Sequence, residues 1–274
     1  MTHRKLKQFT IAFIFFLICA SFASLIYLLC YEPRPSCFDG IQNQGETGID
    51  CGGPCKICPP PKEIKDLKIL WTKAIPSGPI SYDLISSIKN PNKDWGIGSL
   101  NYQFTLYDKE GRILGQREGS SYILPNQEKF IIETLIDTII VPDKVSLSLD
   151  YISWQKLQNF KGLKFPVKDR KYKSIADGSA VGEVSGVVVN DNLYDLDKIN
   201  INIVLYDATG EPVGVSTTDM ATMMAGEKRY FNAIWYYPFP EEVSNFTIEI
   251  DTNLFDPQNI LKRYGEGEKF MEYE

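Results

Sequence analysis

The chain has 274 residues, 43% of them hydrophobic and 23% charged, and a net charge of −6. Arg4, Lys5 and Lys7 place three positive charges in the first eight residues, so the remainder carries 26 basic against 35 acidic side chains. That balance excludes the basic footprint that nucleic-acid binding requires and docking on anionic headgroups, while the length allows one or two domains with cores of their own.

The first element is apolar. From Phe9 to Tyr31 there is no charged residue, and a helix crosses a bilayer with about 20 such residues. The basic cluster precedes this run, so the positive-inside rule places residues 1–8 in the cytoplasm, the span at 9–31, and everything beyond it outside. A cleaved signal peptide is the competing reading, because Ser21-Phe22-Ala23 has the small residues of a cleavage site. The run continues through Leu25-Ile26-Tyr27-Leu28-Leu29, past the about 7–15 residues of a signal core, which favours an uncleaved anchor. Ala20 and Ser24 form a small-xxx-small pair of the kind that lets two spans approach, so a homo-oligomer is compatible with this helix.

The sole histidine, His3, falls on the cytoplasmic side. Outside the membrane the chain therefore has no Ser-His-Asp triad, Cys-His pair or histidine metal ligand. No motif singles out a Ser-Lys dyad or a carboxylate pair, and the expectation is a protein without catalysis or a small-molecule substrate.

Residues 32–62 come next, with Cys37, Cys51, Cys55 and Cys58 between prolines. Outside the membrane, closely placed cysteines are expected as two disulfides, with three pairings open. The single Cys55-x2-Cys58 step and the oxidising compartment argue against zinc. Asp39, Asn43, Glu46 and Asp50 offer the hard oxygens that calcium takes. The same side chains also cap turns through backbone hydrogen bonds. The prolines suit a stiff spacer. The pattern C-x-D-G-x-x-N-x-x-E-x-G-x-D-C-G-G-x-C-x-x-C (Cys37 to Cys58) resembles a cysteine-rich motif of microbial exported and cell-surface proteins, which implies an envelope setting and no particular reaction.

Beyond Pro61 the chain repeats. FTLYDKEGRILGQ at 104–116 matches IVLYDATGEPVGV at 203–215. Further matches are Asn90 with Asn190, Leu67-Lys68 with Leu163-Lys164, Glu128-Lys129 with Glu227-Lys228, and Pro142–Ser146 with Pro240–Ser244. A repeat of about one hundred residues is a whole domain. Leu100, Tyr102, Phe104 and Leu106 alternate with polar residues, as do Ile199, Ile201, Ile203 and Leu205, and so do Val145–Tyr151 and Phe246–Ile250. Period-two alternation with Gly, Asn, Asp and Pro turns predicts β-sandwiches. Asp108–Gly111 and Asp207–Gly210 are predicted hairpin turns. The expected fold class is all-β: two tandem immunoglobulin-like sandwiches at 63–158 and 159–257, behind the span and the cysteine-rich segment. A mobile, lysine-rich linker is expected around 155–173 and a charged tail at 258–274.

Phe104-Thr105-Leu106-Tyr107-Asp108 resembles the signature of the FxLYD-type domain, an immunoglobulin-like sandwich of exported proteins; Ile203 replaces the Phe in the second copy. The resemblance implies a binding or spacer module. The densest aromatic run, Trp235, Tyr236, Tyr237 and Phe239, is the candidate partner surface, with sandwich packing as the competing reading. The first copy has Thr138-Ile139-Ile140-Val141 there. Together these features point to a non-catalytic, membrane-anchored envelope scaffold whose partners are other envelope proteins. The alternative is a calcium-dependent adhesion module built on the cysteine-rich segment.

Overall fold

The structure is a computed structural model, and it describes residues 3–30, 37–38, 40–43, 45–58, 64–151, 153–157, 160–176 and 178–263. The chain divides into two units, 1–59 and 60–273.

In the first unit, helix α1 spans His3–Cys30, and its Lys7–Tyr27 segment is long and apolar enough to cross a membrane. The cysteine-rich segment has a single described β-bridge, Gly48 with Cys51, and two disulfides, Cys37–Cys55 and Cys51–Cys58. With scarcely any ladder and few buried side chains, this segment relies on its crosslinks, which restrict the unfolded chain instead of building a core.

The second unit holds fourteen described strands in two copies of one plan. The first copy comprises β1 (Lys68–Pro76), β2 (Ser81–Lys89), β3 (Trp95–Tyr107), β4 (Ile113–Ile123), β5 (Glu128–Asp137), β6 (Lys144–Tyr151) and β7 (Gln155–Lys156). The second comprises β8 (Val167–Ser174), β9 (Gly182–Val189), β10 (Tyr194–Tyr206), β11 (Pro212–Met223), β12 (Lys228–Trp235), β13 (Asn245–Asp251) and β14 (Ile260–Arg263). Sheets β1-β2-β5 and β4-β3-β6 form the first sandwich, and β8-β9-β12 and β11-β10-β13 the second. The short strands β7 and β14 pair with the starts of β3 and β10.

The two-residue period fills each core. Leu100, Phe104 and Leu106 are fully buried with Leu84, Ile88 and Ile131, and Ile199, Ile201, Ile203 and Leu205 with Val184, Val188 and Phe231. Both LYD aspartates hold their turns as expected. Asp108 accepts from the N–H groups of Glu110 and Arg112 at 3.0 and 2.8 Å, and Asp207 from Thr209 and Glu211 at 2.8 and 2.9 Å. Gly111 and Gly210 take the left-handed conformation that closes each hairpin.

The matched asparagines are structural staples. Asn90 is fully buried; its Nδ2 donates to Trp95 O (2.6 Å) and Leu124 O (2.9 Å), and its Oδ1 accepts from Asn92. Asn190 repeats this with Tyr194 O, Met223 O and Asn192. Asn92 and Asn192 in turn clamp both backbone groups of Lys65 and Lys164. These bonds correct the upstream register: Lys65, not Lys68, is the counterpart of Lys164. Strand pairing corrects two further matches. Lys89 faces Glu128 and Val189 faces Lys228, so Lys129 corresponds to Arg229; Leu106 faces Val145 and Leu205 faces Phe246, so Val145 corresponds to Phe246. The expected linker carries β7 and most of β8, and β14 lies within the expected tail, whose residues from 264 onward fall outside the described chain.

Asn90→Ala strips two buried carbonyls and an Asn-Asn contact of their partners, at a cost of about 1–3 kcal/mol per stranded group. Urea denaturation of this variant is expected to show a midpoint well below that of the parent, and Asn190→Ala a similar loss.

Candidate functional site

The most elaborate constellation lies at the junction of the two sandwiches. The outward faces of β1, β2 and β5 should be polar, yet they carry Trp71, Ile75, Ile85, Phe130 and Ile132. These meet Val204, Val215 and Tyr206 on the outward face of β10 and β11. Ile85 pairs with Ile132 across one sheet and Val204 with Val215 across the other, so two apolar cross-strand pairs stack face to face. Lys73 and Glu211 bridge the rim at 2.7 Å.

Beside this patch, β5 pairs only with β2 among the described residues, so it presents an edge. The second sandwich caps that edge with side chains. Glu249 accepts from Phe130 N at 3.0 and 3.2 Å, and Asn202 Nδ2 donates to Phe130 O at 3.3 Å. Asn202 also donates to Glu249 (2.9 Å) and accepts from Thr217 (2.8 Å). Both backbone groups of one edge-strand residue are thereby satisfied as a neighbouring strand would satisfy them.

The adjoining charges are buried. Lys129, 3% exposed, pairs with Asp251, also 3% exposed. Asp251 further accepts from Tyr122 Oη (2.6 Å) and Gln127 Nε2 (2.9 Å), and Asn200 donates to Tyr122 Oη (2.7 Å). Lys129 Nζ also stands 3.9 Å from the centre of the Tyr122 ring. Burial, and then the Asp251 charge, hold the Tyr122 hydroxyl well above its ordinary pKa, so it stays a donor. Burial, reinforced by Asp251, pushes the Glu249 carboxyl from 4.5 up to about 8 despite Lys129, Asn202 and the Phe130 N–H.

A third contact closes the junction. Phe255 of the second copy lies over Gly96 and Gly98 of β3; a Cβ at those positions would meet its ring or Cβ at 2.6 and 2.7 Å. Phe255 belongs to a cluster with Tyr122, Leu124, Leu157 and Leu254. Between these contacts lies a cleft of ≈ 410 Å³ whose lining includes Tyr102, Asn200, Asn202, Thr217 and Gln258. Lys129 and Asp251 beside it are engaged with each other, and Glu249 with Phe130 and Asn202, an arrangement suited to holding two domains together.

The expected site residues lie elsewhere. Tyr236 is exposed and Tyr237 half-buried. Trp235 and Phe239, however, stack edge to face at 6.1 Å against the second core, and Trp235 Nε1 donates to Val215 O at 2.9 Å. Phe239 fills the space over Gly182 and Gly214. Half of the aromatic run is therefore core. In the cysteine-rich segment, Asp50 accepts from Gly40 N at 3.0 and 3.1 Å, and Glu46, 2% exposed, accepts from Asn43 N and Asp50 N. Asp39 lies outside the described residues. Glu46 also approaches the sulfurs of Cys37 and Cys55, but those are bonded to each other and offer no thiolate. The carboxylates of Glu46 and Asp50 thus accept from backbone N–H groups of the turns.

The junction residues escaped the sequence reading, although Val204 and Val215 interrupt an otherwise polar outward face. No protein-family model matches the sequence, and no curated protein matches it.

Lys129→Met leaves Asp251 buried without its cation, which costs about 3–5 kcal/mol; urea denaturation of the full chain is expected to register a loss of that order. Glu249 gives a signed pH effect. Its pKa is raised on folding, so the folded state binds more protons between about 4.5 and 8, and stability falls as pH rises through that window. The melting temperature of Glu249→Gln, which imitates the protonated form, is expected to decline less from about pH 5 to about pH 8.5 than that of the parent. An equal slope in both proteins would remove Glu249 as its cause.

Proposed function

We propose that the chain is a single-pass, membrane-anchored scaffold of a microbial envelope, with its N-terminus cytoplasmic and its sandwiches extracytoplasmic, acting through interaction instead of catalysis. The observation that carries this reading is the use of the ionisable groups at the junction. Lys129 and Asp251 are buried, and half-buried Glu249 is hydrogen-bonded beside them, between two sandwiches, which makes the pair one stiff body rather than two domains on a hinge. A stiff body behind an apolar span suits the presentation of surfaces at a set place. The disulfide-closed segment agrees with an oxidising compartment, and the repeat fits the FxLYD-type resemblance and its association with exported binding and spacer modules.

Topology is tested by alkylating cells with a membrane-permeant thiol reagent before lysis, followed by mass analysis of the membrane fraction. The expected result is alkylation that spares Cys37, Cys51, Cys55 and Cys58. Labelling of all four would place them in a reducing compartment and overturn the orientation.

A further inference from the structure

The matched strands β6 and β13 begin differently in the two copies. Lys144-Val145-Ser146 opens β6 and Asn245-Phe246-Thr247 opens β13, with Val145 and Phe246 in corresponding positions. Asn in place of Lys turns this stretch into Asn-x-Thr, the acceptor sequence for transfer of an oligosaccharide to an asparagine amide. No other asparagine in the chain has Ser or Thr two residues on.

Three residues alone are a weak signal, and the motif requires an exposed amide on an exported domain. The fold supplies the exposure. Alternation along β13 sends Phe246 to the core cluster and leaves Asn245 and Thr247 exposed on the outer face. Among the described residues β13 pairs only with β10, so its other side is a strand edge. The chain reaches it through the exposed residues Glu241, Glu242 and Ser244. The side chain is also suitably turned. Asn245 Oδ1 accepts from the Phe246 N–H at 2.8 Å, and Nδ2, the atom that carries the sugar, has no protein partner among the described residues. By contrast Asn90, Asn190, Asn202 and Asn259 each commit Nδ2 to a backbone carbonyl.

We propose that Asn245 is an N-glycosylation site. The inference rests on the extracytoplasmic reading of the sandwiches. The co-reactants are a lipid-linked oligosaccharide and its transferase. The C1–O bond between sugar and lipid phosphate breaks, C1 bonds to Asn245 Nδ2, and the amide proton leaves with the lipid phosphate. Because Asn245 is exposed and its Nδ2 unengaged, the glycan fits the folded sandwich whether it is added before or after folding. It also screens the edge: a bulky, hydrated group on the first residue of β13 keeps a further strand from adding there. Lys144, exposed at the same position of the edge strand β6, discourages strand addition by charge. The two copies thus protect corresponding edges by different chemistry.

The test uses the full chain purified from the membranes of the cells that carry it. The tryptic peptide 230–262 is expected to be heavier than its sequence by one oligosaccharide, and fragmentation to place the addition on Asn245. Asn245→Gln is expected to lose the added mass completely, and Thr247→Ser, which preserves the acceptor sequence, to keep it. Lys144→Asn, made in the Asn245→Gln chain, creates an acceptor at the matching position of the first sandwich and reports whether the transferase acts on this domain pair. A bare Asn245 beside a modified residue 144 would overturn the inference alone. If both positions stay bare, protease added to spheroplasts separates the two readings. Digestion of the sandwiches keeps them outside and overturns the inference alone, whereas their protection removes the extracytoplasmic reading and this inference with it.

Discussion

A β-strand edge that is removed from water must have its peptide groups met by something. In the first sandwich β5 is such an edge, and Phe130 is where the demand falls. The second sandwich answers with Asn202 and Glu249, one donating to the carbonyl and the other accepting from the amide. Side chains take the place of a strand because sheets that pack through their faces do not continue a ladder. With both Phe130 backbone groups matched, the apolar pairs beside them are in contact, and the Lys129–Asp251 pair is closed off from solvent. The apolar contact supplies affinity, while the buried polar groups fix the register, since any slip would leave a desolvated donor or acceptor without a partner.

The same positions in the other copy show why the pairing occurs once. Phe130 corresponds to Tyr230, Ile85 to Ser185 and Ile132 to Asn232, while Val204 corresponds to Thr105, Val215 to Gln116 and Glu249 to Ser148. Neither unused face retains the apolar pairs, so a third sandwich would find nothing to bury. The edge strand β8 instead presents Lys168, Lys171 and Lys173, exposed charges that discourage strand addition. The duplicated domain has diverged into a matched pair with one inner junction and solvated outer faces.

Against this background the loop after β5 stands out. Elsewhere on the described sandwiches, exposed aliphatic residues come singly or as the pair Ile69 and Leu70; here three follow one another, a few residues after Leu135, whose N–H a buried aspartate accepts. The aromatic run in the other copy looked the better surface because aromatics dominate interfaces, yet a glycine pair beneath Phe239 draws it inward.

Much of the architecture was legible in the sequence, for physical reasons that act locally. An uncharged run of helix length, a two-residue apolar period, LYD turns closed by glycine, and cysteines too close to serve a core each determine their element without reference to distant parts of the chain. The interior residues of β3 and β10 were read correctly for that reason. Repeat register was less secure, because an insertion of one residue leaves composition unchanged and only hydrogen-bond pairing shows that Lys129 stands where the other copy has Arg229. The junction was decided by tertiary structure alone. Asn202, Glu249 and Asp251 are ordinary outward-facing polar residues in sequence; Asn202 and Asp251 become buried, and Glu249 half-buried and shifted in its acidity, only when another sheet arrives to displace their water.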